Sequence, residues 1–97
     1  MSSKEFVLED QRLIILKELK DQNGYETNDS ILDTVLENWG HRISRDAVRT
    51  QICWLEEQNL VTTRTMGEYL IAKLTSRGFD VAKGDATVPG VKKPRPE

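Results

Sequence analysis

Ninety-seven residues, 37% hydrophobic and 31% charged with a net charge of −2, suit one small soluble globular domain with a modest core. No apolar run approaches the ~18 residues of a membrane span, and the opening Met1–Glu5 has no apolar signal core, so neither membrane insertion nor secretion is expected. One cysteine, Cys53, excludes an intrachain disulfide, and with one histidine, His41, it cannot supply the four ligands of a zinc site; no carboxylate loop of the calcium type is present, so no metal or cofactor is expected.

Residues 1–5 are expected to be flexible. A first helix follows over about Phe6–Asp21, with Leu13, Leu16 and Leu19, joined by Ile15, as its inward stripe. Val7 and Ile14, seven apart, fall on another side. An apolar surface wider than one stripe implies a second buried contact, either beneath the loops or C-terminal segment or in a dimer interface. Asn23-Gly24 ends this helix with residues that tolerate a left-handed backbone, and Tyr25–Thr27 reads as a connector. Asn28, Asp29 or Ser30 caps a second helix reaching about Trp39, with Ile31, Leu32, Val35, Leu36 and Trp39 along one face. Gly40 breaks it.

After the short polar turn Gly40-His41-Arg42, Ser44 is a good N-cap because its hydroxyl can accept from an orphan backbone N–H of the first turn. The third helix runs from Arg45 to about Gln58, with Val48, Ile52 and Leu55 inward, and makes a tight exit at Asn59. Leu60–Thr65 is rich in Val and Thr, which favour strands. Met66-Gly67-Glu68 turns the chain, and Tyr69–Leu74 returns with Leu70, Ala72 and Leu74 on one side. This pair is a hairpin. Thr75 caps a brief last helix with Phe79 and Val81 or Ala82 as packing residues, stopped by Gly84. Residues 85–97 hold three prolines, two lysines and an arginine and read as a flexible tail. The expected core is Leu13, Leu16, Leu19, Leu32, Leu36, Val48, Ile52, Leu55 and Leu74.

The order of helix, turn, helix with a polar outer face, then hairpin is that of a winged helix-turn-helix over residues 6–84, mainly α with a two-stranded wing. Its candidate DNA face is Arg42, Ser44, Arg45, Asp46, Arg49 and Thr50. Arginine can bond bidentately to guanine or to phosphate oxygens. Asp46 sits awkwardly against phosphate but can orient Arg42 or Arg49, or accept from a cytosine amino group. The alternative is an ordinary solvated charged face. Arg64 on the wing, or Lys73 on its return strand, can reach the DNA backbone or minor groove, with Glu68 near the tip working against this. Charge distribution favours the DNA reading: residues 1–40 carry four Lys/Arg against nine Asp/Glu (−5), and residues 41–97 carry ten against seven (+3). Trp54 lies off the apolar stripe, so it packs under the tail or the second helix beside Trp39, or joins an interface. Cys53 falls on the outer half of the third helix, and His41 reads as a polar turn residue.

Arg12-Leu-Ile-Ile-Leu16, the turn before Ser44, Leu55-Glu-Glu-Gln-Asn-Leu-Val61 and Leu74-Thr-Ser-Arg-Gly78 resemble the winged-helix domains of small bacterial transcription regulators of the arsenic-repressor-like and multiple-antibiotic-resistance-regulator-like groups. More narrowly, Asn28-Asp-Ser30, Ile43–Thr50, Trp54–Gln58 and Val88–Lys92 resemble a small family of winged-helix proteins of Mu-like bacteriophages. The resemblance implies a phage or prophage setting in the bacterial cytoplasm. The chain lacks the metal-ligand pairs of metal-sensing regulators and a long extra C-terminal dimerisation helix.

With no nucleophile, base and orienting group at motif spacing, the expectation is a non-enzymatic DNA-binding regulator that reads duplex DNA through the third helix. An adaptor or structural protein in phage assembly or DNA packaging is the alternative. Double-stranded DNA is the expected partner, with no membrane; a second copy meeting through Val7 and Ile14 and a phage protein partner stay open.

Overall fold

In a computed structural model, which describes residues 3–95, the chain forms four helices and a three-stranded antiparallel sheet. In chain order these are α1 (Ser3–Asp21), β1 (Glu26–Asn28), α2 (Asp29–Asn38), α3 (Arg45–Glu57), β2 (Val61–Met66), β3 (Tyr69–Leu74) and α4 (Ser76–Lys83), with a short 3-10 turn at Asn23–Tyr25. The expected flexible ends fall partly on Met1, Ser2, Pro96 and Glu97, which lie outside the described residues. Ser3–Glu5, expected to be flexible, are already helical; Glu5 sits in the first turn, where a carboxylate suits the positive end of the helix dipole.

The sheet corrects one expectation. Tyr25–Thr27 does not serve only as a connector, and the hairpin is not the whole sheet. Gly24 (φ 69°) and Tyr25 (φ 60°) turn the chain back after α1, and Glu26, Thr27 and Asn28 then pair with Lys73, Ala72 and Ile71 of β3. The strand order is β1-β3-β2, and β3 is central. Three residues are too few for an alternation to be legible in sequence; the pairing is dictated by β3, whose second edge would otherwise be bare. Register places Val61 opposite Leu74 and Thr63 opposite Ala72, so one sheet face turns Val61, Ala72 and Leu74 inward. The other carries Arg64, Tyr69 and Lys73 outward.

All nine expected core residues are buried, and Ile15, Leu60, Val61, Ala72, Val81, Ala82, Val88 and Val91 join them. The last two lie within residues 85–97, expected to be a flexible tail, and both are buried. Val88 and Val91 flank a Pro-Gly turn closed by the Val91 amide donating to the Val88 carbonyl at 3.1 Å. The turn lets both valines enter the core. The Gly90 carbonyl accepts from Arg12 Nη1 at 3.0 Å, and the Lys92 amide donates to the Glu9 carbonyl at 3.3 Å. Charge and proline content masked two apolar anchors that are enough to hold a short segment.

The exit from α3 is held by close backbone contact. Asn59 adopts φ 62°, and Thr75 Oγ1 donates to the Asn59 carbonyl at 2.8 Å while its backbone N–H donates to the Leu60 carbonyl at 3.1 Å. Thr75 also caps α4, accepting from the Gly78 amide at 3.0 Å. A Cβ on Gly78 would fall 2.1 Å from the Leu60 carbonyl oxygen, so α4 can approach this junction only with glycine there.

Candidate nucleic-acid interface

The α2–α3 turn sets where α3 begins. Gly40 (φ 91°) reverses the chain, and the His41 amide donates to the Leu36 carbonyl at 2.9 Å. Ser44 caps α3, its Oγ accepting from the Ala47 amide at 3.0 Å. Arg45 and Arg49 then lie four residues apart, one above the other on the same side of the helix.

Both arginines converge on Asp29. Arg45 donates through Nε to Oδ2 at 3.0 Å and through Nη2 to Oδ1 at 3.3 Å, and Arg49 donates through Nε to Oδ2 at 2.5 Å. Asp29 is fully buried, whereas the two arginine side chains stay 38% and 42% exposed. The Leu70 amide donates to Asp29 Oδ1 at 3.2 Å, just past the end of β1, so the carboxylate continues the ladder where the strand stops. Burial alone would raise the Asp29 pKa, but the hydrogen bonds from Arg45, Arg49 and the Leu70 amide outweigh it and hold it at about 2. The Arg45 hydrogen bond to Asp29 raises the guanidinium pKa in turn. Both arginines also donate to the Glu68 carbonyl in the β2–β3 turn, Arg49 at 2.5 Å and Arg45 at 3.3 Å. Arg45 stacks 5.1 Å from the centre of the Tyr69 ring. One buried carboxylate and one turn carbonyl thereby fix α3 to the hairpin.

The other expected contact residues are placed differently. Arg64 forms a bidentate pair with Glu26 across β3, at 2.7 and 3.3 Å, which holds the Glu26 carboxyl below its usual range. Asp46 is exposed and orients neither Arg42 nor Arg49 through any hydrogen bond described; Asp29 has that role. Thr50 donates its hydroxyl to the Asp46 carbonyl at 3.2 Å. Arg42 is exposed and makes no hydrogen bond or ion pair among the described residues. In the sequence Asp29 stands out only as one of three adjacent capping candidates. Asn28 takes the cap, accepting from the Ile31 amide at 2.9 Å. The available signal was the surplus acid in Asn28-Asp-Ser30, beside a helix with two arginines one turn apart.

A second polar network ties α1 to the α2–α3 turn, to α3 and to the C-terminal segment. Asp10 accepts from His41 at 2.7 Å and from Lys92 at 3.2 Å. Gln11 and Gln51 bond at 2.8 Å, and Arg12 Nε donates to Gln51 Oε1 at 2.8 Å. Arg12 lies 3.9 Å over the Trp54 ring, whose edge packs against Gly90. Trp54 therefore packs beneath the C-terminal segment, while Trp39 is not beside it in the interior and stays 68% exposed. Ile14 is half-buried against the core and Val7 is 44% exposed. Among the described residues no three His, Cys, Asp or Glu side chains converge to hold a metal ion, and no helix is long and apolar enough to cross a membrane.

The chain is 52% identical over 92 residues to protein gp26 of Escherichia phage Mu, covering 95% of each chain. It is 46% identical over 78 residues to a protein of Haemophilus influenzae, covering 79% of this chain and 76% of that one. Neither relative's name states an activity, and no family model matches the chain. On identity and on coverage of nearly its whole length, the chain belongs to the family of phage Mu gp26.

Proposed function

We propose that the chain binds duplex DNA through α3 and acts as a transcriptional regulator of Mu-like phages or prophages in the host cytoplasm. One observation carries the reading. Arg45 and Arg49, one helical turn apart and partly exposed, are held side by side on a single buried carboxylate and tied to the hairpin turn. Guanidiniums fixed in this way present N–H groups to a ligand with little further loss of side-chain freedom. Support also comes from the element order: α1, β1, α2, α3, β2, β3 is the order of a winged helix-turn-helix, in which the second helix of the pair enters the major groove. The phage Mu relative supports the setting.

The alternative is a non-enzymatic adaptor or structural role in phage assembly or DNA packaging. The pairing of Arg64 with Glu26 favours it, because it takes the wing's arginine away from a phosphate backbone. Fluorescence anisotropy with a pool of labelled duplexes over a salt series separates the two readings. A DNA-binding chain loses affinity linearly in log salt as phosphate contacts release counterions. No salt-sensitive binding at moderate salt would leave the adaptor reading.

A further inference from the structure

The outward face of α1 has features that binding through α3 does not use. At 100° per residue, Val7, Asp10, Ile14, Lys17 and Asp21 form one stripe along the helix, with Phe6 at its flank. Phe6 and Val7 are 55% and 44% exposed, and Trp39, the C-cap of α2, is 68% exposed. A groove of about 340 Å3 runs beside the stripe, lined by Asp10, Ile14, Lys17 and Asp21 on α1 and by Trp39 and Arg95 among the residues facing them. Of the three exposed side chains Trp39 lines the groove, while Phe6 and Val7 sit on α1 N-terminal to it; open apolar side chains of this size are features of contact surfaces.

We propose that this face joins two copies of the chain, packed as antiparallel α1 helices about a two-fold axis between Asp10 and Ile14. The argument is self-complementarity. The stripe runs apolar, acidic, apolar, basic: Val7, Asp10, Ile14, Lys17. Reversed against itself about that axis, it brings Asp10 of each copy alongside Ile14 and within reach of Lys17 of the other. It also carries Phe6 and Val7 of each copy toward the Lys17 end of the groove, where Trp39 of the other copy covers them. Each contact occurs twice, as a closed two-fold interface requires. Asp10 is already positioned by His41 and Lys92, so the acid is ordered before the copies meet.

Sedimentation equilibrium of the full chain, with reductant to keep the exposed Cys53 from cross-linking, tests the proposal. A monomer–dimer equilibrium is expected at micromolar protein. Lys17→Glu sets a fourth carboxylate beside Asp10, Glu18 and Asp21 and is expected to weaken dimerisation about tenfold or more. Lys73→Glu makes the same charge change on the outward face of β3, away from the stripe, and is expected to leave the constant within about twofold. Ile14→Glu is expected to abolish the dimer. Should that half-buried substitution unfold the chain by circular dichroism, Lys17→Glu, at an exposed position, still decides. A strictly monomeric wild type at hundreds of micromolar overturns the proposal, as does a dimer whose constant ignores Lys17→Glu.

Discussion

Asp29 lies wholly buried at the start of α2, yet Arg45, which holds it at 3.0 Å through Nε, begins α3 and keeps 38% of its side chain in solvent. The pair bridges from the interior to the face proposed to meet DNA. A buried carboxylate without partners would be very costly, and Asp29 is stabilised by three donors, Arg45, Arg49 and the Leu70 amide, so that loss of one arginine leaves two. The arginines in turn take their orientation from Asp29 and from the Glu68 carbonyl. Folding and the candidate interface are therefore coupled through one side chain. Two guanidiniums meet one buried carboxylate at this node, with the carboxylates of Asp46 and Glu68 lining the same surface site.

Asp29→Asn is expected to destabilise the chain by about 1–3 kcal/mol, because the amide is uncharged and turns donors toward the guanidiniums. The lower part of the range in which buried pairs fall applies, since solvent partly screens both arginines. The pH dependence follows from the lowered pKa of about 2. A depressed carboxylate contributes stability that is fully present above its unfolded value, near 4, and is lost as pH falls toward 2. Urea denaturation between pH 2 and pH 6 is expected to show wild type losing more stability on acidification than Asp29→Asn. Asp10 and Glu26 act in the same direction in both proteins.

Arg42, Arg45 and Arg49 are expected to differ in how they contribute to DNA binding. Arg42 is exposed and unengaged among the described residues, so it is placed to act as a phosphate contact. Arg42→Ala should weaken binding about equally for all sequences and reduce the salt slope by about one. Arg45→Ala and Arg49→Ala should each cost ~1–3 kcal/mol wherever the side chain reads a base, and should narrow the difference between preferred and scrambled duplexes. Anisotropy titrations of each variant at two salt concentrations distinguish the patterns. Equal affinity of all three variants and wild type would place the DNA contacts elsewhere.

How legible each part was in sequence depended on how local its cause is. The helices and the hairpin announce themselves by periodicity, caps and turn residues, each set within about four positions. Ile52 illustrates this: its place in the stripe with Val48 and Leu55 is enough to expect burial, and it is fully buried. β1 and the packed C-terminal segment depend on distant partners. Thr27 becomes a strand residue because Ala72 is opposite, and Gly90 is ordered because Arg12 and Trp54 receive it. The candidate site divides in the same way. Arg45 and Arg49 were legible as a pair on one helix face. Their shared partner, sixteen and twenty residues earlier in the chain, was not.

Ile52→Ala is expected to cost ~2–5 kcal/mol, from lost transfer free energy and the cavity left between α3 and its neighbours. Guanidinium denaturation is the measurement. A loss well under 1 kcal/mol would mean that the interior around α3 collapses to fill the space.

Gly90→Ala tests whether the C-terminal segment is part of the fold. Gly90 has φ 98°, which a side chain tolerates poorly, and an added Cβ would lie 2.6 Å from the Trp54 ring. Arg12 stacks 3.9 Å from the ring centre and covers one face, which limits how the ring can yield. The expected outcome is release of the segment rather than distortion of α3, because Val88, Val91 and the Arg12–Gly90 hydrogen bond hold far less surface than the helical core. Overpacking of this kind costs ~1–3 kcal/mol. Amide exchange should accelerate at Val91 and Lys92, whose N–H groups donate to Val88 and Glu9, while the amides of α3 stay protected. Trp54 should become more accessible to a fluorescence quencher, with Trp39→Phe as the background because Trp39 is already exposed. Unchanged exchange at Val91 and Lys92 would show that the turn accommodates a side chain and that the contact with Trp54 does not hold the segment in place.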